Sequence, residues 1–166
     1  RFAPSAEWLE SLDCLKKNTD EPFGDSDFYY ARYNDSVDYS QYPEAYGVTA
    51  WWDYGYWIVR IGHRPPSQNP GGAIPRVAEF FLAQDESEAA GILDERGARY
   101  IMLDYSFVTG KYYGAINVTG KSEQDFYEDF LVQTQDNKTL ESVRLYYPEY
   151  YRSMSVRLYN FGGKAV

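Results

Sequence analysis

The sequence predicts an α+β fold: a helix-rich single domain over residues 1–166 around a small β-sheet, with a kinked helix after Asp104. Three observations carry this expectation. Apolar residues recur at helical spacing in several segments. Short β-prone runs such as Tyr100-Ile101-Met102-Leu103 stand between them, and Gly and Pro punctuate the chain. At 166 residues the chain is long enough for one domain with a real core, whereas two would be cramped. The absence of any internal repeat sets aside solenoids and propellers.

The first helix opens at Pro4-Ser5, with Ser5 as N-cap, Glu7 in the first turn and Trp8, Leu9, Leu12 and Leu15 at helical spacing. It ends near Lys16-Lys17-Asn18, where cations suit the helix dipole. Residues 19–46 are polar, acidic and Tyr-rich and read as a long loop with short elements. Val48 to Trp52 reads as a short strand and Tyr54 to Gly62 as a helical segment. Arg64 to Pro75, with its prolines and glycines, must be loop, and within it Arg64-Pro-Pro-Ser-Gln-Asn-Pro-Gly-Gly reads as a flexible rim whose glycines allow a peptide to approach the backbone closely. A helix follows from Ile74 or Pro75 to about Ala83, with Val77, Phe80 and Phe81 inward. Asp85-Glu86-Ser87-Glu88 caps another to about Glu95, stopped by Gly97. Tyr100 to Leu103 reads as a buried strand, followed by an irregular helix after Asp104. Glu123 to Gln133 reads as a further helix with Phe126, Phe130 and Leu131 on one face, and Met154 to Phe161 as a strand pairing with the Tyr100 strand.

Composition narrows the partners. The net charge of −9 disfavours nucleic acid and anionic membrane surfaces, both of which reward a basic patch. Cys14 and His63 are each alone, which excludes an intramolecular disulfide and zinc sites built on several thiolates, so no metal site is expected in this segment. No apolar run approaches the roughly 20 residues needed to cross a bilayer. The chain starts at Arg1 without a signal-peptide pattern and reads as the interior of a longer protein. The 18 tyrosines suit surfaces that meet sugars, peptides or proteins, and equally suit plain amphipathic packing. Asn34-Asp-Ser36, Asn117-Val-Thr119 and Asn137-Lys-Thr139 are N-x-S/T sequons, a pattern frequent by chance.

The run Trp51-Trp52-Asp53-Tyr54-Gly55 concentrates the chemistry. Neighbouring side chains diverge in a strand or a helix, so one core seldom takes both indoles. One account is an amphipathic turn with one indole in the core and Asp53 as N-cap of the next helix. The other is a polar pocket with aromatic walls, in which indole N–H groups donate and the carboxylate accepts, satisfying a lone hydroxyl in both of its roles.

WWDYG is the signature of the catalytic subunit of oligosaccharyltransferase, and the chain resembles the soluble C-terminal domain of that family, of archaeal type. SAEWLESLDCLKKNTDEP before the motif, FFLAQDESEAAGILDERGARYIMLD after it and SMSVRLYNFGG near the end extend the likeness through most of the chain. The resemblance implies that Trp51, Trp52 and Asp53 receive the hydroxyl of the Ser or Thr two residues after the acceptor Asn, with Tyr54 and Gly55 setting the turn. Many relatives carry an Asp, a Lys three residues on, and a Met or Ile four after the Lys, and an archaeal variant inserts four residues between Asp and Lys. Asp104 and Lys111, seven apart, match the longer form. Four residues is close to one helical turn, so both spacings leave acid and base on one face. The chain departs at the last position, where Ala115 stands four after Lys111 and the isoleucine follows as Ile116. Either Gly114 supports a kink that restores Ile116, or the apolar contact is weaker here.

The resemblance further implies a C-terminal globular domain that binds an N-x-S/T acceptor peptide and holds no catalytic residue, cofactor or metal itself. The divalent cation (Mg or Mn) and the carboxylates of transfer would belong to the missing N-terminal transmembrane region, a partner of this domain that also engages the lipid-linked oligosaccharide. The whole would be a membrane protein of the cell surface with this domain on the extracytoplasmic side. The alternative is an extracytoplasmic carbohydrate-binding module, whose aromatics stack on sugar rings.

Overall fold

The computed structural model describes residues 3–30, 45–68, 71–133 and 140–166; Asn34, Asn137 and most of the Tyr-rich stretch lie outside them. In chain order the elements are α1 (Ala6–Asn18), β1 (Gly47–Thr49), α2 (Gly55–Arg60), α3 (Pro75–Leu82), α4 (Glu86–Glu95), β2 (Ala98–Ile101), α5 (Tyr112–Thr119), β3 (Tyr127–Gln133), β4 (Leu140–Tyr146), α6 (Pro148–Arg152) and α7 (Met154–Phe161). Short 3-10 turns precede α2 and β3, and a π-helical segment, Phe107–Lys111, leads into α5. The fold is α+β and helix-rich, with two small two-stranded sheets. Contacts cluster into two compact units, Arg1–Ala73 with Leu93–Met102, and Ile74–Ile92 with Leu103–Val166.

In the first unit, Ser5 accepts from the N–H of Trp8 and starts α1, whose buried stripe is Trp8, Leu12 and Leu15. The stripe meets the segment after β1: the Trp8 ring lies 4.3 Å from Tyr54 and 5.5 Å from Trp57. Strand β1 pairs in parallel with β2, matching Val48 to Tyr100 and Thr49 to Ile101. The C-terminal carbonyls of α1 are closed by a buried arginine. Arg64 donates to the carbonyls of Lys16 (3.1 Å) and Thr19 (2.6 Å), to the Tyr46 hydroxyl (2.9 Å) and to the Glu21 carboxylate (3.2 Å). A helix end leaves its last carbonyls without intrahelical partners, and this guanidinium supplies donors in their place.

The core of the second unit is built on α3, where Val77, Ala78, Phe80, Phe81 and Leu82 are buried. Helix α7 docks on the α3 C-terminus through Ser155 Oγ donating to the Phe81 carbonyl (2.8 Å) and the Met154 N–H donating to the Ala83 carbonyl (2.7 Å). The Phe107 ring packs 4.5 Å from Phe81, and the Tyr150 hydroxyl donates to the Val108 carbonyl (2.8 Å). Strands β3 and β4 form an antiparallel hairpin whose register is fixed by the Asp129–Arg144 ion pair (2.7 and 2.8 Å) and by Arg144 lying 3.8 Å over the Tyr127 ring.

Four expectations are corrected. Glu123 to Gln133 is a 3-10 turn followed by strand β3, not a helix. Phe126, Phe130 and Leu131 have helical spacing, but cross-strand pairing with Leu140–Tyr146 overrides that local pattern. Met154 to Phe161 is helix α7, not a strand. Its contiguous buried run Met154, Ser155, Val156 and Arg157 packs within the second unit, and Gly162 at φ 60° ends it in the left-handed conformation. Strand β2 therefore takes β1 as its partner. It is also not fully buried, since Tyr100 is 36% exposed. Finally, β1 stops at Thr49, and Trp52 already belongs to a 3-10 turn.

Candidate functional site

Strand β1 delivers the tryptophan motif, and the chain that returns after α2 braces it. The Val48 N–H donates to the Pro65 carbonyl (2.8 Å) and the Ser67 N–H to the Val48 carbonyl (2.9 Å), forming a short parallel bridge. The buried hydroxyls of Thr49 and Ser67 lie 2.8 Å apart, and Gln68 Nε2 donates to the Ala50 carbonyl (3.0 Å). Gly47 fits this close approach, because a Cβ there would sit 3.2 Å from Ser67 Oγ. Arg64 to Gln68, the first part of the expected rim, is thus a hydrogen-bonded brace with Arg64, Ser67 and Gln68 buried. Sequence reasoning missed these residues because a Pro-rich stretch gives no periodic signal.

The motif divides between anchor and surface. Trp51 is 5% exposed and holds the N-cap position, and its carbonyl accepts from the Tyr54 N–H (3.0 Å) to begin the turn Trp52–Tyr54. Tyr54 is buried with its ring against Trp8 and Trp57, and the Gly55 N–H donates to the Trp52 carbonyl, carrying the turn into α2. Trp52 and Asp53 are half-buried, and Asp53 Oδ1 is hidden from solvent. Asp53 lies inside the turn, and Tyr54 holds the N-cap position of α2, so the N-cap account of the acid does not hold.

His63 follows α2 at φ 48°, the one non-glycine with positive φ among the described residues. Its Nε2 faces the Tyr30 hydroxyl (2.9 Å) and the Lys16 ammonium (3.5 Å). An ammonium only donates, so Nε2 is the acceptor in the second contact. Burial, then the Lys16 charge, holds the imidazole pKa below its ordinary value.

Asp104, Lys111 and Ile116 belong to the second unit. Asp104 acts as a cap there: its Oδ1 accepts from the Phe107 N–H (2.8 Å), and both carboxylate oxygens lie 3.2 Å from Ser106 Oγ. The irregularity expected after Asp104 is the π-helical segment Phe107–Lys111, while Gly114 lies within the regular α5. Lys111 is half-buried at the junction of the two windings. Ala115 and Ile116 are both fully buried. Burial also pushes the Tyr112 and Tyr150 hydroxyls well above the usual phenol range.

A helix-rich α+β chain with this motif on a tight turn after a short parallel strand has the fold of the globular part of archaeal oligosaccharyltransferases. An Archaeoglobus fulgidus oligosaccharyltransferase, tethered by a disulfide bond to an acceptor peptide containing the NVT sequon, superposes with a TM-score of 0.78 at 25% identity, over 99% of this chain and 23% of that one. The A. fulgidus enzyme in complex with Zn and sulfate shares the fold with a TM-score of 0.73 at 24% identity, over 99% and 24% of the two chains. Residues 5–108 match the AglB core domain, and the chain belongs to that family. A dolichyl-monophosphooligosaccharide–protein glycotransferase AglB of Haloferax volcanii is 34% identical over 96% of this chain, which spans 17% of that relative's length.

Proposed function

We propose that this chain is the acceptor-recognition domain of an N-glycosylating oligosaccharyltransferase. The observation that carries the reading is the division within Trp51–Gly55: Trp51 and Tyr54 are buried anchors, and Trp52 and Asp53 stand half-buried on the turn between them. The Asp53 carboxylate accepts the hydrogen of the Ser or Thr hydroxyl in an N-x-S/T peptide, and the indole N–H groups of Trp51 and Trp52 donate to its oxygen. A hydrogen bond to a charged group is worth about 1.5–3 kcal/mol. That is roughly ten- to a hundred-fold discrimination against Ala at the same position. Lys111 and Ile116 are the further candidate peptide-binding residues, both carried by the second unit.

Transfer itself belongs outside this chain. Among the described residues no three His, Cys, Asp or Glu side chains come together as a metal ligand set. No described helix is long and apolar enough to cross a membrane. The Mg or Mn ion, the lipid-linked oligosaccharide and the anchorage at the cell surface, with this domain outside the cytoplasm, fall to a transmembrane region of the longer protein. The domain's contribution is positioning, holding the third sequon residue so that Asn is correctly placed for attack.

The test is to supply the purified domain with sequon peptide, lipid-linked donor and divalent cation. No transfer is expected, and peptide should bind no more tightly than about 1 mM, equivalent to roughly −4.1 kcal/mol. A flexible peptide loses freedom on binding, and a partial cleft returns little of that cost. Metal-dependent transfer, or micromolar binding by calorimetry, would overturn the reading.

A further inference from the structure

We infer that Gln68 is a positioning residue for the tryptophan motif, setting the direction in which Trp51, Trp52 and Asp53 leave strand β1. Along the edge of β1 the brace makes its contacts in order: Val48 N–H to the Pro65 carbonyl, Ser67 N–H to the Val48 carbonyl, then Gln68 Nε2 to the Ala50 carbonyl at 3.0 Å. The last donor is a side-chain amide, where the first two are backbone groups. It reaches the last peptide group before the motif. On the other edge, β2 holds the preceding residue, with the Met102 N–H donating to the Thr49 carbonyl (2.8 Å).

The physical consequence follows from peptide planarity. The Ala50 carbonyl and the Trp51 N–H lie in one rigid plane, so a donor that fixes the first fixes the second. Trp51 then turns at φ −63° and ψ 146° into the 3-10 turn that carries Trp52 and Asp53. Gln68 is 4% exposed, so its amide operates away from competing water, and an alternative partner for the Ala50 carbonyl is costly to find. Trp51 is buried and Trp52 and Asp53 are half-buried, so a small rotation of the Ala50–Trp51 peptide redirects the turn that carries Trp52 and Asp53.

The inference rests on the acceptor-recognition reading, and the experiment separates the two. In the intact enzyme, Gln68→Leu keeps the side chain's bulk and removes its donor, and Gln68→Met keeps its unbranched length and likewise removes the donor. Steady-state glycosylation of a Thr-containing sequon peptide, assayed well below the melting temperature of either variant, should show KM raised at least fivefold in both, with kcat at saturating peptide within twofold. Kinetic constants equal to those of the unsubstituted enzyme in both variants, or an earlier melt with unchanged KM, would overturn the positioning role. Should Gln68→Leu not fold, Gln68→Met alone decides by the same readout. Asp53→Ala, assayed in parallel, isolates the parent reading. Normal KM and kcat there would sink the pocket itself, whereas loss there with normal Gln68 variants sinks only the role of Gln68.

Discussion

Arg64 donates to both the carbonyl (2.6 Å) and the hydroxyl (2.8 Å) of Thr19, the residue that ends α1. Its guanidinium, 1% exposed as a residue, thus joins the end of the first helix to the start of the brace that leads along β1 to Gln68. Removing it leaves the Lys16 and Thr19 carbonyls without this donor and Glu21 Oε2 without the guanidinium, while Glu21 Oε1 keeps the Tyr29 hydroxyl and the Phe23 N–H. Arg64→Met, which keeps the apolar stem, should cost about 3 kcal/mol. For a chain of this size that lowers Tm by roughly 6–12 °C, measured by calorimetry. A shift under about 2 °C would mean that the network contributes little net stability.

His63 makes stability depend on pH. Its folded pKa lies below the ordinary 6.5 because burial, then the adjacent Lys16, penalise the imidazolium; Arg64 acts in the same direction and Glu21 opposes. The unfolded chain therefore binds the proton more readily, so the contribution is full above about pH 6.5 and is lost as pH falls through the folded value. The urea midpoint should fall between pH 7.5 and 5.5. His63→Asn, which tolerates the φ of 48°, should flatten that fall. An equally steep fall in the variant would assign the dependence to other groups.

Much of the first unit was legible in the sequence, because its signals are local. Ser5 capping, the Trp8, Leu12 and Leu15 stripe and the cationic end specify α1 without outside help. The WWDYG turn was legible for its improbability, and in the structure the two indoles differ in burial: Trp51 is buried and Trp52 half-buried. The hairpin was not legible, because strand pairing between Tyr127–Gln133 and Leu140–Tyr146 depends on a partner that a local window does not contain. Helix α7 was misread for a related reason. The alternation in SVRLYNF suits a half-buried strand, but the segment's contacts with Phe81 and Ala83 are formed by residues more than 70 positions earlier. The brace at Arg64 to Gln68 carries no periodicity at all and emerges only from its hydrogen bonds.

Gly110 lies inside the π-helical segment, and a Cβ added there meets nothing within 4 Å. Its φ is not in the left-handed region, so no strain opposes substitution. Gly110→Ala should stabilise the protein by about 0.5–1 kcal/mol, chiefly by restricting the unfolded chain. A rise in the urea midpoint at unchanged slope would confirm it. A loss of stability would show that the π winding itself depends on glycine at this point.

Asp53 should matter to glycosylation more than to folding. The capping position of its turn belongs to Trp51, so Asp53→Ala removes no N-cap bond and should move Tm by less than a lost cap would, a loss worth about 0.5–2 kcal/mol. In the proposed site the same change leaves the acceptor hydroxyl with donors but no acceptor for its own proton. The barrier then rises by the worth of a charged hydrogen bond, about 1.5–3 kcal/mol, which lowers kcat/KM for a Thr sequon roughly ten- to a hundred-fold. The measurement pairs thermal unfolding with glycosylation by the intact enzyme. An unchanged melt with a large loss of transfer places the acid in the acceptor pocket. A variant that melts much earlier yet transfers normally once folded would return Asp53 to a purely structural role and remove the hydroxyl pocket from the proposal.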